Sequence, residues 1–141
     1  MRFVDTNVLL YAVSELPDEA GKRTRAREVL SETGLAISVQ VLQEFYHQAT
    51  RTTRIGSLSH GRALQFLEPI LLFPIQAMTA DVFLDAVNIS QRFQLSYWDG
   101  AILAAARALG CDTVYSEDLS SEQDYDGLRV INPFLEESET P

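Results

Sequence analysis

The chain has 141 residues, 46% of them hydrophobic, which is enough for one packed core and excludes intrinsic disorder. Its net charge of −9, with 20 acids against 11 lysines and arginines, excludes a general basic coat for nucleic acid, so any such role must use a local basic strip or metal ions. One cysteine excludes an internal disulfide framework, and the early apolar run Val8–Val13 is too short for a membrane span and lacks a signal-peptide plan, so the expected protein is soluble and cytoplasmic, with no membrane partner.

The first stretch, Arg2-Phe3-Val4-Asp5-Thr6-Asn7, is an apolar strand ending in a carboxylate, a hydroxyl and an amide, and Val8–Ala12 continues as a helix. Asp5 therefore stands at a strand's carboxyl end, where open α/β sheets bind ligands. Pro17-Asp18-Glu19 starts a second helix, which Gly34 is expected to end by a left-handed cap. Lys22, the only lysine, stands on it with Arg23, Arg25 and Arg27. Such a charge run is a solvated face or a phosphate-contacting strip.

Leu35–Ser38 reads as a second strand and Val39–Arg51 as a helix with Val41, Leu42, Phe45 and Ala49 on its core face. Glu44, His47, Gln48 and Arg51 share the opposite face, so Glu44 lies about a turn past a strand end, away from the core. A loop over 52–59, with Gly56 and a Ser59 cap, leads to a helix through Ala63 and Leu67. Ile70–Phe73, between Pro69 and Pro74, has the length of a strand. Thr79 caps a helix reaching Phe93.

Ser96-Tyr97-Trp98-Asp99 opens a helix that is almost wholly Ala, Ile and Leu, which predicts close packing, and Gly110 closes it. Asp99 falls on the side of Ile102, Leu103 and Ala106; it is either a carboxylate aimed along that stripe or, as the end of Ser-x-x-Asp, a capping residue alone. Thr113–Tyr115 is a strand whose exit carries Ser116, Glu117 and Asp118, so Asp118 resembles Asp5 in placement. Arg129–Ile131 is the final strand. Residues 1–135 are expected to form one domain and 136–141 an acidic frayed tail.

Strands alternating with helices imply an α/β fold with a parallel sheet, whose right-handed crossovers place every strand carboxyl end on one edge. Asp5, Glu44, Asp99 and Asp118 then share that edge. Converging carboxylates repel, and a hard divalent cation removes the penalty. No Cys/His set offers a zinc site.

In their order along the chain, Phe3–Tyr11, Val41-Leu42-Gln43-Glu44-Phe45, Tyr97–Ile102, Ser116–Leu119 and Gly127–Phe134 resemble a PIN-domain ribonuclease, specifically a VapC-like toxin of a toxin–antitoxin pair. The resemblance implies an α/β/α sandwich and a Mg²⁺- or Mn²⁺-dependent RNA endonuclease hydrolysing phosphodiesters by metal-activated water. It implies a catalytic set of Asp5, Glu44, Asp99 and Asp118, with metal ligands at Asp5, Asp99 and Asp118, Glu44 binding a metal or orienting water, and polar supports at Thr6, Asn7 and Ser116. Glu117, beside Asp118, is the other candidate for the fourth acid. The implied partners are an RNA substrate, a cognate antitoxin and a second copy of the chain. Lys22, Arg23, Arg25, Arg27, Arg51 and Arg54 are candidates for holding RNA phosphates.

Three other readings fit less well. A phospho-receiver needs a lysine after a late strand, and the only lysine is early; a haloacid-dehalogenase-like phosphatase needs Asp-x-Asp where Asn7 stands. A catalytically silent PIN-like module that binds metal or RNA would not need all four acids.

Overall fold

A computed structural model describes residues 1–135. The expected tail, 136–141, lies outside the described residues. Six strands form one sheet in the order β3-β2-β1-β4-β6-β5. β1 (Arg2–Val4), β2 (Leu35–Ser38), β3 (Ile75–Gln76), β4 (Thr113–Tyr115) and β6 (Leu128–Ile131) run parallel, and β5 (Asp124–Tyr125) is antiparallel to β6 at the edge. The centre of the sheet is dry: Phe3, Val4, Ala36, Ile37, Val114 and Val130 are fully buried. Near-continuous apolar strands of this kind are what a parallel sheet covered on both faces requires.

Helices flank the sheet. α1 (Thr6–Ala12) packs on α2 (Ala20–Leu30) and on α3 (Val39–Thr50), and α3 on α4 (His60–Leu67). α6 (Tyr97–Ala108) lies against β2, β3, β4 and β6, with α5 (Ala80–Phe93) packed along it. Gly100 explains how close those two helices come: a Cβ there would stand 2.7 Å from the carbonyl oxygen of Ala86. The α6 segment from Gly100 to Ala106 is buried throughout, as its small residues predict.

The structure departs from the sequence reading in three places. Ile70–Leu72 is a 3-10 turn, not a strand, and Leu72 is 86% exposed. Pro69 has helical backbone angles that start the turn. The pairing begins instead at Pro74, which has no N–H but accepts at its carbonyl from the Ile37 N–H, and continues into β3. Gly34 does not cap α2, whose cap is Ser31; it takes its positive φ of 74° in the turn entering β2. Finally, Asp126 and Gly127, with φ of 56° and 93°, form the tight turn that joins β5 to β6, a hairpin the sequence reading lacks.

Candidate active site

The carboxyl ends of β1, β2 and β4 turn straight into the segments that carry Asp5, Glu44 and Asp118, while Asp99 comes from the start of α6, which follows α5. Asp5 follows β1 and caps α1, its Oδ1 accepting from the Thr6 backbone N–H at 2.7 Å. Ser38 caps α3 and fixes its first turn, and Glu44 projects from the second. Ser96 caps α6 by accepting from the Asp99 N–H at 3.1 Å, which sets Asp99 in the first turn. Asp118 follows β4 in a loop pinned by its own N–H donating to Ser116 Oγ at 3.1 Å.

Short polar side chains tie these acids together. The Ser116 hydroxyl donates to Asp5 Oδ2 at 2.8 Å, and the Thr6 hydroxyl donates to Glu44 Oε2 at 2.8 Å. Asn7 donates its amide to Asp118 Oδ2 at 3.2 Å and accepts at Oδ1 from the Glu117 N–H. Thr6, Asn7 and Ser116 thus all bond to the acid cluster or its loop. Glu44 turns toward this cluster from the α3 face that the sequence reading assigned to the polar side.

The electrostatics show one shared field. Burial pushes Asp5 up from 3.8 to about 7, against the lowering effect of its bonds from Ser116 and Thr6; Asp118 and Glu44 push it higher. Burial also raises Asp99, opposed by Ser96, and the same two acids, Asp118 and Glu44, add to the rise. Asp118 and Glu44 thus bear on both Asp5 and Asp99.

Among the described residues, no three Asp, Glu, His or Cys side chains stand close enough to enclose one ion as they are placed. The chemistry of the donor set nevertheless fits a hard divalent cation. It is all oxygen, anionic, free of Cys and His, and contains a buried carboxylate whose ionised form needs positive charge beside it.

Glu117 lines the same cavity as Asp118, but its carboxylate is held by other groups. Its Oε2 pairs with Lys22 Nζ at 2.6 Å, and its Oε1 accepts from the Tyr11 hydroxyl at 2.5 Å. Lys22 also lies over the Tyr11 ring, 4.8 Å from its centroid. The other cations of α2 hold backbone carbonyls: Arg23 donates to Ser14, Arg25 to Pro133 and Arg27 to Ala12, at 3.2, 2.9 and 3.1 Å. Arg51 is exposed at the end of α3. Arg54 lines a cavity of about 430 Å³ together with Asn7, Tyr11 and Asp118, the one of the six cations besides Lys22 whose surroundings reach the acids or their loop.

Two residues matter here that the sequence reading did not single out. Gln40 is buried one turn before Glu44 and donates its amide to Glu44 Oε1 at 2.9 Å. Tyr11 fixes Glu117. The i, i+4 spacing of Gln40 and Glu44 was the available signal.

A family model described as PIN domain matches residues 2–122. Among curated proteins, none matches the sequence. Solved structures with the same fold include a toxin–antitoxin complex from Klebsiella pneumoniae, 20% identical, covering 95% of this chain and 98% of that one, with a TM-score of 0.71. Another is VapC20 of Mycobacterium tuberculosis, described as a sarcin–ricin-loop-cleaving toxin: 20% identity, 84% and 90% coverage, TM-score 0.65. A third is DNA-bound VapBC from Salmonella typhimurium, 20% identical over 92% and 95% of the two chains, with a TM-score of 0.61.

Proposed function

The chain belongs to the PIN-domain family, and from that premise we propose that it is a metal-dependent endoribonuclease, the toxin of a toxin–antitoxin pair. The observation that carries this reading is the set of acids at one sheet edge, Asp5, Glu44 and Asp118 tied in by Ser116, Thr6 and Asn7 and Asp99 under the influence of Glu44 and Asp118, with burial raising Asp5 to about 7. Asp5, Asp99 and Asp118 would hold Mg²⁺ or Mn²⁺. When bound, such an ion supplies Lewis acidity toward water and toward a phosphodiester.

The chain's own groups do the rest. Thr6 and Gln40 fix both oxygens of Glu44, leaving it oriented to position the attacking water. Ser116 and the Thr6 N–H favour the ionised form of Asp5. Asn7 aims Asp118. Arg54 is the cation placed to hold a flanking phosphate. Hydrolysis leaves a 5′-phosphate and a 3′-hydroxyl. A cognate antitoxin and a second copy of the chain are the protein partners this reading carries, by likeness to the solved toxin–antitoxin complexes. The toxin reading itself makes the cytoplasm the site of action. Among the described residues no helix is long and apolar enough to cross a membrane.

The test is RNA cleavage with Mg²⁺ or Mn²⁺, and again with EDTA, by wild type and by folded Asp5→Asn and Asp99→Asn variants. Cleavage by wild type alone, lost in EDTA, supports the reading. Equal cleavage by the variants, or cleavage that survives EDTA, overturns it. Metal binding without cleavage of any RNA favours a silent binding module.

A further inference from the structure

Beside the acids is a second cavity of about 340 Å³, lined by Gln40, Gln43, Met78, Phe83, Tyr97 and Trp98. None of these side chains is charged. Its aromatic wall is open to solvent: Trp98 is 64% exposed, and Phe83 and Met78 nearly half. The rings are set at angles to one another, with centroids 5.8 Å apart for Phe83 and Tyr97 and 5.1 Å for Tyr97 and Trp98.

Gln40 gives this cavity a polar point. The residue is only 6% exposed, and its Nε2 donates to two acceptors, Glu44 Oε1 and the Trp98 carbonyl oxygen. Both partners are acceptors, so the amide cannot be turned over without opposing oxygen to oxygen. Gln40 Oε1 is left as the buried side-chain oxygen without a hydrogen-bond partner among the described residues. A buried, unpaired acceptor costs free energy that a ligand with an N–H group recovers.

We infer that this cavity receives one unpaired base of the RNA, the nucleotide next to the cut, with Trp98 stacking on its face and Gln40 Oε1, covered in the unbound protein, becoming uncovered to accept from its donor edge. This rests on the ribonuclease reading and adds to it a source of sequence preference. Three observations favour a base over an apolar side chain of a protein partner. The wall is aromatic, which suits any base. The polar point is an acceptor that an aliphatic group would leave unpaired. And both recognition residues are joined to the catalytic edge: Gln40 through its bond to Glu44, and Trp98 as the residue before Asp99. A single acceptor favours bases that present an amino group, adenine, cytosine or guanine. Uracil offers only one N–H between two carbonyls.

Trp98 is the only tryptophan, so its fluorescence reports on the cavity directly. The experiment titrates wild type with single-stranded oligoribonucleotides, Ca²⁺ replacing Mg²⁺ to hold RNA without consuming it. In parallel, cleavage is profiled in Mg²⁺ on strands varied, or made abasic, at one position at a time. The expected result is quenching of Trp98 and a loss of affinity of about tenfold for one abasic position beside the cut. Gln40→Met should keep the quenching but bring amino bases and uracil to within about twofold of each other, as expected when one base-edge hydrogen bond is removed. Trp98→Ala should abolish the penalty of the abasic position and Trp98→Phe should retain most of it; both lie on the surface.

Quenching with base preference but no cleavage of any RNA would leave the pocket standing and remove the nuclease reading. Cleavage with no base preference beside the cut, or Trp98 emission unmoved by RNA that is cut, overturns the pocket and leaves the nuclease. A change from dimer to monomer in Trp98→Ala by light scattering, with base preference intact, also overturns it and assigns the face to a second copy of the chain.

Discussion

Ser116 donates its hydroxyl to Asp5 across 111 residues of sequence, both groups buried, and this bond is the strongest influence holding the Asp5 carboxyl below where burial alone would put it. Removing it in Ser116→Ala raises the Asp5 pKa further above about 7, so ionisation needs a higher pH. The acid limb of the pH–rate profile should move upward by about one unit, the scale of one charge-assisted hydrogen bond. Cleavage near pH 7 should fall and recover in alkali. A uniform loss at every pH would mean that Ser116 acts only by holding the loop at Asp118.

Asp5 also predicts a conflict between stability and activity. Its folded pKa is raised, so the ionised form opposes folding: the cost is absent below 3.8, grows as pH rises, and is complete above about 7. Metal-free protein should therefore lose stability from this group between those values. Asp5→Asn keeps an acceptor for the Thr6 N–H and an amide to donate to Ser116. It should melt roughly 4 °C or more above wild type at pH 8 and match it near pH 4. Cleavage should drop about a thousandfold, the scale of the Lewis-acid contribution. Scanning calorimetry in EDTA at the two pH values checks the sign.

Asp118 and Glu117 are neighbours with different surroundings. Glu117 braces Lys22 and Tyr11, whereas Asp118 adds to the field on Asp5 and Asp99. Asp118→Asn should abolish cleavage and weaken Mn²⁺ binding by calorimetry. Glu117→Gln should leave cleavage within about threefold and lower the melting temperature slightly, as expected for a half-exposed ion pair. The reverse pattern would make Glu117 the fourth acid.

Arg54 and Arg25 separate a ligand-facing cation from a structural one. Arg54→Ala should weaken RNA binding evenly across sequences and reduce the salt slope by about one. Arg25 spends its Nε on the Pro133 carbonyl. Arg25→Ala should lower stability by about 1 kcal/mol and leave the salt slope alone. Filter binding at several salt concentrations distinguishes them.

Gly100→Ala places a methyl 2.7 Å from a backbone oxygen that cannot rotate away. α6 must shift off α5, at a cost of about 1–3 kcal/mol by denaturant titration. Because Asp99 is the preceding residue, cleavage should fall in molecules that remain folded.

Much of this was legible in the sequence because the strands are short apolar runs ended by recognisable caps. β2 and β4 have the bounds that Leu35–Ser38 and Thr113–Tyr115 suggest, and Ser59, Thr79 and Ser96 all cap as read. Ile70–Phe73 misled because apolar runs of four suit a turn as well as a strand, and only the neighbouring chain decides. The Asp126-Gly127 hairpin was available as a turn signal between a lone Tyr125 and Leu128, too short to show alternation. The basic run on α2 had the composition of a phosphate strip. Its arginines are committed to carbonyls at 14, 133 and 12, distant positions that no local pattern reveals.

The strand order has a consequence for how such a protein is made. β1 sits between β2, which follows soon after it, and β4, which comes in the last third of the sequence. As the polypeptide leaves the ribosome, β1 can first pair only with β2, and Ser116 and Asp118 have yet to be synthesised. Ribosomes that stall short of β4 release products that lack one of the four acids and the hydroxyl that tunes another. The four acids thus come to share one edge only after nearly all of the chain has been translated.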